Sequence, residues 1–397
     1  MYDLIIVGAG PAGTAAARVA AQQGLKTLLL EKEKIPRNKL CGGGVTPKVL
    51  RLLDFNLPTD LIECSVRSVR LHVGEDCHNF ETDRTLTYMT SRAPFDAFLA
   101  EKAVEAGAEL KDASRVRSVN VTESYAEVNI HDGSFRSHMI IGADGTAGLV
   151  AAGAQLYSHW SPDQVSYAIE SEIPVGEGIV QEFIQSSGYF DLFFGASPAG
   201  YGWIFPKRDH LTVGVGCTLR KLRDGRGLFE AFVKSLPGLS EHHVPRPQAH
   251  LIPLGGAARV PTVGRRVLLA GDSAGFADPF FGEGIYFAIL SGQIAGEVVK
   301  RACNLGKFDV EHLIAYRKCC RAAFGVDLDI AYRVARFSYL EQYDMERVAR
   351  FFFAEKKVQE CMIGLIDGSI RYRDARIKLA WPYFKYRLAK LGLPFYS

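Results

Sequence analysis

Glycines at positions 8, 10 and 13, in the run Leu4-Ile-Ile-Val-Gly8-Ala-Gly10-Pro-Ala-Gly13, have the spacing to cradle a dinucleotide pyrophosphate. The first allows a tight turn and the second a close approach of backbone to phosphate. The third lets a helix pack closely on a strand, and the helix start, which follows Ala12 and Gly13 of this cofactor-binding turn, supplies unpaired N–H donors. Glu31, 18 positions beyond Gly13, ends the run Leu28-Leu-Leu-Glu31 and is placed to accept from ribose hydroxyls. Two more carboxylates end apolar runs in the same way: Asp144 in Met139-Ile-Ile-Gly142-Ala-Asp144-Gly145, and Asp272 in Val267-Leu-Leu-Ala-Gly271-Asp272-Ser-Ala-Gly275. The last run continues through Gly282-Glu-Gly284 into a helical stretch, Ile285–Arg301.

These groups serve one ligand only if strands and helices bring them to one edge. Residues 1–35 read as strand, helix, strand, with the helix over Thr14–Gln23. Cys41–Asp54 reads as a glycine-rich loop and a short helix, Val66–Val73 as a strand, and Pro94–Glu105 as a helix. Leu110–Val121 and Ala126–Ile130 alternate as strands, with Asp132-Gly133 a hairpin signal. Strand patterns then follow at Val165–Ser171, Tyr189–Gly195, Tyr201–Pro206 and Leu211–Cys217, with a helix around Leu228–Leu236, before the chain returns to a buried strand at Arg265–Gly275.

In order and separation the three segments resemble the fingerprints of the flavoprotein hydroxylase-type FAD fold. The resemblance implies that the Ala143-Asp144-Gly145 turn lies near the pyrophosphate and that Asp272 binds the ribityl chain. It also implies that Gly284 and Ile285 open a helix aimed at the flavin pyrimidine edge, where a helix start favours negative charge. Arg92, before the Pro94–Glu105 helix, and Val116 complete the cofactor contacts carried over.

The expected fold is α/β: a Rossmann-type FAD-binding domain with an interleaved, mainly antiparallel β substrate domain and a helical C-terminal region. The cofactor domain is discontinuous over 1–65, 85–150 and 255–305, the substrate domain takes 66–84 and 151–254, and the helical region is 306–397.

The 397 residues are 48% apolar and 23% charged, with a net charge of +3, an ordinary globular composition without the field that nucleic acid needs. Eight cysteines (41, 64, 77, 217, 303, 319, 320 and 361) form no CxxC pair and the histidines no HExxH, so no metal is expected. With the first strand starting at residue 2, no leader segment is expected and the compartment reads as cytoplasmic, with reduced thiols. No apolar run reaches the ~20 residues that span a bilayer.

Two further motifs narrow the resemblance. Asn38-Lys39-Leu40-Cys41-Gly42-Gly43-Gly44-Val45 and Pro198-Ala-Gly200-Tyr201-Gly-Trp203-Ile-Phe205-Pro206 are similar to the KxCGG-type loop and the PxxYxWxFP motif of geranylgeranyl reductases. That family uses reduced FAD to hydrogenate prenyl double bonds, and the likeness covers roughly residues 1–300. Tyr201, Trp203 and Phe205 share one strand face while Gly202 and Ile204 take the other, so three rings wall an apolar slot for an uncharged isoprenoid. The resemblance implies that Cys41, Gly42 and Gly44 pass near the flavin. Cys41, Tyr201 or an ordered water would supply a proton to the alkene carbon opposite the one that takes hydride from flavin N5. Val213-Gly214-Val-Gly216 lacks the context of a second dinucleotide turn, so NAD(P)H docks transiently or ferredoxin serves as reductant.

Residues 371–397 hold seven basic side chains (371, 373, 376, 378, 385, 387 and 390), the single acid Asp374 and seven aromatics. Such a segment suits peripheral contact with lipid headgroups, or a solvated helix. The competing activities on this fold are an FAD monooxygenase or halogenase. Halogenases carry a related double-tryptophan motif ending in Ile-Pro, where this chain has Tyr201, Trp203 and Phe205-Pro206. A prenyl-lipid-binding flavoprotein without turnover is the third reading.

Overall fold

The computed structural model describes residues 1–184, 188–254, 260–337 and 355–380. The chain divides into two compact units, one of residues 1–39, 92–165 and 251–332, the other of 40–91, 166–250 and 333–397.

The first unit is built on a sheet ordered Val263–Gly264, Val267–Leu269, Gly133–Gly142, Tyr2–Val7, Thr27–Leu30, Glu109–Lys111. All neighbours in that order are parallel except the first pair. Leu4, Ile5, Ile6, Ile140, Ile141, Leu268 and Leu269 are fully buried, as strands covered on both faces must be. The helices Pro11–Gln22 and Ile285–Leu305 cross through small residues: a Cβ on Gly292 would lie 2.2 Å from the Ala12 carbonyl oxygen. The hairpin closes at His131-Asp132, where Ile130 pairs with Gly133.

Leu110–Val121, expected as one strand, is two, Glu109–Lys111 and Ser118–Val121. The break comes where Ala113 adopts φ 48° and the Ala113 and Ser114 N–H groups bond to the Glu33 and Glu31 carbonyls, which pulls the chain out of extended pairing. Val116 between them is buried in the core of this unit.

The second unit has a seven-stranded sheet ordered Gln248–Pro253, Val165–Pro174, His210–Thr218, Gly200–Pro206, Tyr189–Phe194, Ser68–Val73, Asp76–Glu81. Tyr189–Phe194 pairs with Ser68–Val73 in parallel, whereas Val165–Pro174 with His210–Thr218, His210–Thr218 with Gly200–Pro206, Gly200–Pro206 with Tyr189–Phe194, and Ser68–Val73 with Asp76–Glu81 pair antiparallel. One face is covered by the helix Gly225–Lys234, begun by an Asp224 side chain that accepts from Gly227 N–H. Phe229, Phe232 and Val233 of that helix pack with Ile204, Val213 and Val215.

The expected strand Val66–Val73 splits at Arg67. Cys64–Val66 joins a small sheet with Thr87–Met89 and Gly44–Val45, whereas Ser68–Val73 joins the large one, because the Arg67 and Ser68 N–H groups both turn to the Gly188 carbonyl. Residues 40–65, grouped with the cofactor domain on sequence grounds, cluster with the second unit, and 306–332, expected in a separate helical region, cluster with the first.

Candidate functional site

In the first unit the chemistry-bearing turns all follow the carboxyl ends of parallel strands, the edge where open α/β sheets take ligands. Tyr2–Val7 leads to Gly8–Gly10, Thr27–Leu30 to Glu31, Gly133–Gly142 to Asp144, and Val267–Leu269 to Gly271 and Asp272. Backbone bonds lace them together: Gly8 N–H to Leu30 O at 2.7 Å, Ala143 N–H to Val7 O at 2.8 Å, and Ala270 N–H to Gly142 O at 2.9 Å.

The three glycines of the first turn are demanded by different things. A Cβ on Gly13 would stand 1.8 Å from the Gly8 carbonyl oxygen, and one on Gly8, at φ +102°, 2.3 Å from the Ala143 carbonyl oxygen, so protein packing fixes both. A Cβ on Gly10 would meet only Arg37 Nη2, at 3.8 Å. No other atom of the described residues crowds that glycine, and open space remains before the start of the helix, which Gly10 caps without a side-chain bond. The second helix, Ile285–Leu305, also starts without a side-chain cap, at Gly284, with Ile285 buried. An elongated dianionic group with a ribose on one side and a polyhydroxyl chain on the other, such as FAD, fits this set.

The acidic residues are held in place by neighbours. Glu31 accepts from Ala9 N–H at 3.0 Å and from Glu33 N–H at 3.2 Å, and pairs with Arg37 at 3.1 Å. Asp272 lies 3.5 Å from Lys39 Nζ. Asp144 accepts from Leu149 N–H at 2.7 Å, Val150 N–H at 3.0 Å and Ser273 Oγ at 3.0 Å. Burial nonetheless leaves its carboxyl above the ordinary range, against those donors.

Arg92, expected at the cofactor, spends its guanidinium on a two-bond pair with buried Asp96, 2.8 Å at each contact, and Arg37 bonds the same carboxylate at 3.0 Å. Burial alone would raise Asp96; Arg92, then Arg37 and Lys39, outweigh it and hold the carboxyl below its ordinary value. Asp96 therefore adds stability that is fully present above the unfolded carboxylate value and fades as pH falls through the depressed folded one. Arg92→Ala is expected to cost about 3 kcal/mol in urea unfolding at neutral pH, and progressively less as acid protonates Asp96 in both states. A pH-independent loss would contradict this assignment.

The second unit presents the aromatic wall. Cross-strand register sets Leu192, Trp203, Gly214 and Glu170 in one lateral row, flanked by the rows Phe194–Tyr201–Gly216–Ala168 and Phe205–Thr212–Glu172. Tyr201 and Trp203 ring centroids are 6.1 Å apart, and Trp203 and Phe205 6.4 Å. Phe194 and Phe190 extend the wall at 5.6 Å from Tyr201 and 5.4 Å from Phe205. Gly214 and Gly216, in the middle of the His210–Thr218 strand, form the bare floor under the indole: a Cβ on Gly214 would lie 2.3 Å from Trp203 Cζ2 and 2.7 Å from the Cβ of Glu170.

The Cys41–Gly44 loop also belongs to this unit, and its glycines are explained here. A Cβ on Gly42 would be 2.2 Å from the Phe205 ring, and one on Gly43, at φ +74°, 2.0 Å from Thr90 O and 2.4 Å from Lys207 Nζ. Lys207 is 1% exposed and donates to Gly42 O at 2.6 Å and Thr90 O at 3.1 Å. The Cys41 sulfur accepts from Gly43 N–H at 3.4 Å. No local sequence pattern marks Lys207, Glu170 or Arg37, and Gly214 and Gly216 stand out in the sequence only as a dinucleotide turn that lacks its context. Lys207 directly follows Phe205-Pro206, but its burial depends on a loop over 160 positions earlier.

Among the described residues no cluster of His, Cys, Asp or Glu fits a metal, and no helix is long and apolar enough to cross a membrane.

With this geometry in hand the chain can be compared with known proteins. A family model described as FAD dependent oxidoreductase matches residues 3–167. Digeranylgeranylglycerophospholipid reductase 1 of Methanococcoides burtonii is 30% identical over 98% of this chain and 96% of its own. A chloroplastic geranylgeranyl diphosphate reductase of Oryza sativa is 30% identical over 74% of this chain and 65% of its own. Among solved structures, a geranylgeranyl bacteriochlorophyll reductase-like protein of Thermoplasma acidophilum superposes with TM-score 0.80 at 23% identity, covering 98% of each chain. A flavin-dependent brominase superposes with TM-score 0.76 at 19% identity, covering 97% of this chain and 99% of its own. The two superpositions speak for the fold.

Proposed function

The chain belongs to the geranylgeranyl reductase family of FAD-dependent oxidoreductases, and from that premise we propose that it saturates carbon–carbon double bonds of a geranylgeranyl-type prenyl lipid. The observation that carries the substrate class is the row of rings over a glycine floor: Tyr201, Trp203 and Phe205, extended by Phe190 and Phe194. An isoprenoid offers no charge to grip, so its affinity comes from burial at ~25 cal/mol per Å² against such a surface.

In this reading Gly8, Gly10, Ala12 and Gly13 receive the pyrophosphate, with Asp144 and Arg92 shaping the turns beside it. Glu31 and Arg37 take the adenosine ribose, Asp272 the ribityl chain, and the helix start at Gly284 and Ile285 the pyrimidine edge; Val116 packs behind them. FAD, when bound and reduced, supplies the hydride. Cys41 or Tyr201 holds the proton that the second alkene carbon needs. The external reductant is NAD(P)H or ferredoxin, met without a second dinucleotide turn, since Gly214 and Gly216 lie inside a strand. Peripheral membrane contact through 371–397 would bring lipid to the enzyme. Its described part includes the helix Tyr372–Lys378, and 381–397 lie outside the described residues.

The test is to reduce the yellow protein with dithionite, add a geranylgeranyl phospholipid and weigh the product. A gain of two mass units per double bond is expected. The brominase superposition favours oxygen or halide insertion as the second reading, and an oxygenated or halogenated product in aerobic halide buffer would replace the first with it. Bound but unchanged lipid under both conditions would overturn both and leave a binding protein.

A further inference from the structure

Three carboxylates of the second unit are buried among its described residues: Glu170, Asp191 and Asp367. Asp191 has Arg70 at 2.6 Å and Asp367 has Arg84 at 3.0 Å. Glu170, only 4% exposed, has no cation within ion-pair distance among the described residues. Trp203 Nε1, which has no other hydrogen-bond partner among the described residues, and the Cys41 backbone N–H are the donors that face it. Lys207 acts on it from the end of Gly200–Pro206, two strands away across the sheet, and Glu172 from its own strand. The Lys207 ammonium in turn is faced by Glu63, Cys41, Glu170 and Glu172. A buried carboxyl beside the aromatic wall, next to the loop that carries the thiol, is costly, and such a group marks a candidate for the chemistry there.

We propose that Glu170 is a proton-relay residue behind the Cys41–Gly44 loop, with Lys207 the positioning residue that pins the loop over it through Gly42 O and Thr90 O. This rests on the alkene-reductase reading. Each double bond consumed takes one hydride, from reduced flavin, and one proton. When the thiol of Cys41 gives that proton it becomes a thiolate, and the Glu170 carboxylic acid passes its own proton to the sulfur. The resulting carboxylate is stabilised by Lys207 and the two facing N–H groups until water reprotonates it. Burial, which outweighs the lowering by Lys207, puts the Glu170 carboxyl at about 7, where it both gives and takes a proton under ordinary conditions.

The experiment needs no prenyl substrate, so its failure is distinct from failure of the alkene-reductase reading. Carbamidomethylation of Cys41 in the full-length holoprotein is followed by peptide mass spectrometry between about pH 5.5 and 9. The wild-type rate is expected to show a step near neutrality, where ionised Glu170 begins to oppose thiolate formation. Glu170→Gln is expected to remove that step and alkylate about threefold faster above it, and Glu170→Asp to restore a step. Lys207→Met is expected to move the step to higher pH. Superimposable wild-type and Glu170→Gln profiles would overturn the proposal. Should the variants fail to fold, infrared spectra of the wild type decide: a protonated carboxyl band lost with a midpoint near neutrality supports it, and no such band at mildly acidic pH overturns it.

Discussion

Gly10→Ala is expected to yield a folded, colourless protein, and Gly13→Ala a protein that hardly folds at all. The two glycines stand three positions apart in one turn and are equally conspicuous in the sequence, yet only one is required by the polypeptide. At Gly13 the added methyl would sit 1.8 Å from the Gly8 carbonyl oxygen, with Ile6 Cγ2 at 3.3 Å behind it. Backbone there is pinned by Gly8 N–H to Leu30 O and Thr14 N–H to Gly10 O, so the helix must lift off the sheet, at a cost of about 3 kcal/mol or more. At Gly10 the same methyl meets a movable guanidinium tip at 3.8 Å, and its φ of −80° suits any residue. Alanine at that position occupies only the space into which pyrophosphate would settle. Loss of about 3 kcal/mol of binding, roughly 100-fold in FAD affinity, is expected, with apoprotein unfolding midpoints within error of wild type. Equilibrium dialysis against FAD and urea melts of the apoproteins check both halves. A Gly10→Ala protein that stays yellow would mean that the cradle is not where the cofactor lies.

What the sequence made legible here is what short-range stereochemistry controls. The strand-turn-helix at Gly8–Gly13 and the placing of Tyr201, Trp203 and Phe205 on one strand face follow from periods of 3.6 and 2, and both stand in the structure. Register does not follow from those periods. Glu170 faces Trp203 only because Gly214, on the strand between them, pairs with both, and no local pattern announces that row. The same holds for the loop glycines: a glycine run reads as room for a planar ring, and the ring that crowds Gly42 is Phe205 of this chain. The misread strands have a similar cause. Ala113 at φ 48° and the turn of Arg67 toward Gly188 come from partners far along the chain, against alternating patterns that continue unbroken.

Gly214→Val is expected to be among the most damaging single changes in the second unit, and its effect should depend on Trp203. The new side chain would project onto the aromatic face, its Cβ 2.3 Å from Trp203 Cζ2, 2.4 Å from Trp203 Cε2 and 2.7 Å from the Cβ of Glu170. The strand cannot retreat, because Gly214 pairs on both sides, with Trp203 and Glu170 themselves. The indole, 8% exposed and packed between Tyr201 and Phe205, would have to leave its place, at about 3 kcal/mol in stability. Trp203→Ala alone removes a large buried ring and should cost a similar ~3–5 kcal/mol. In the double variant the valine fills part of the volume that the indole vacates, so the two losses are expected to fall short of adding by about 2 kcal/mol. Additive losses in a urea double-mutant cycle would show that Trp203 does not lie on the Gly214 floor, and would remove the middle ring from the proposed prenyl wall.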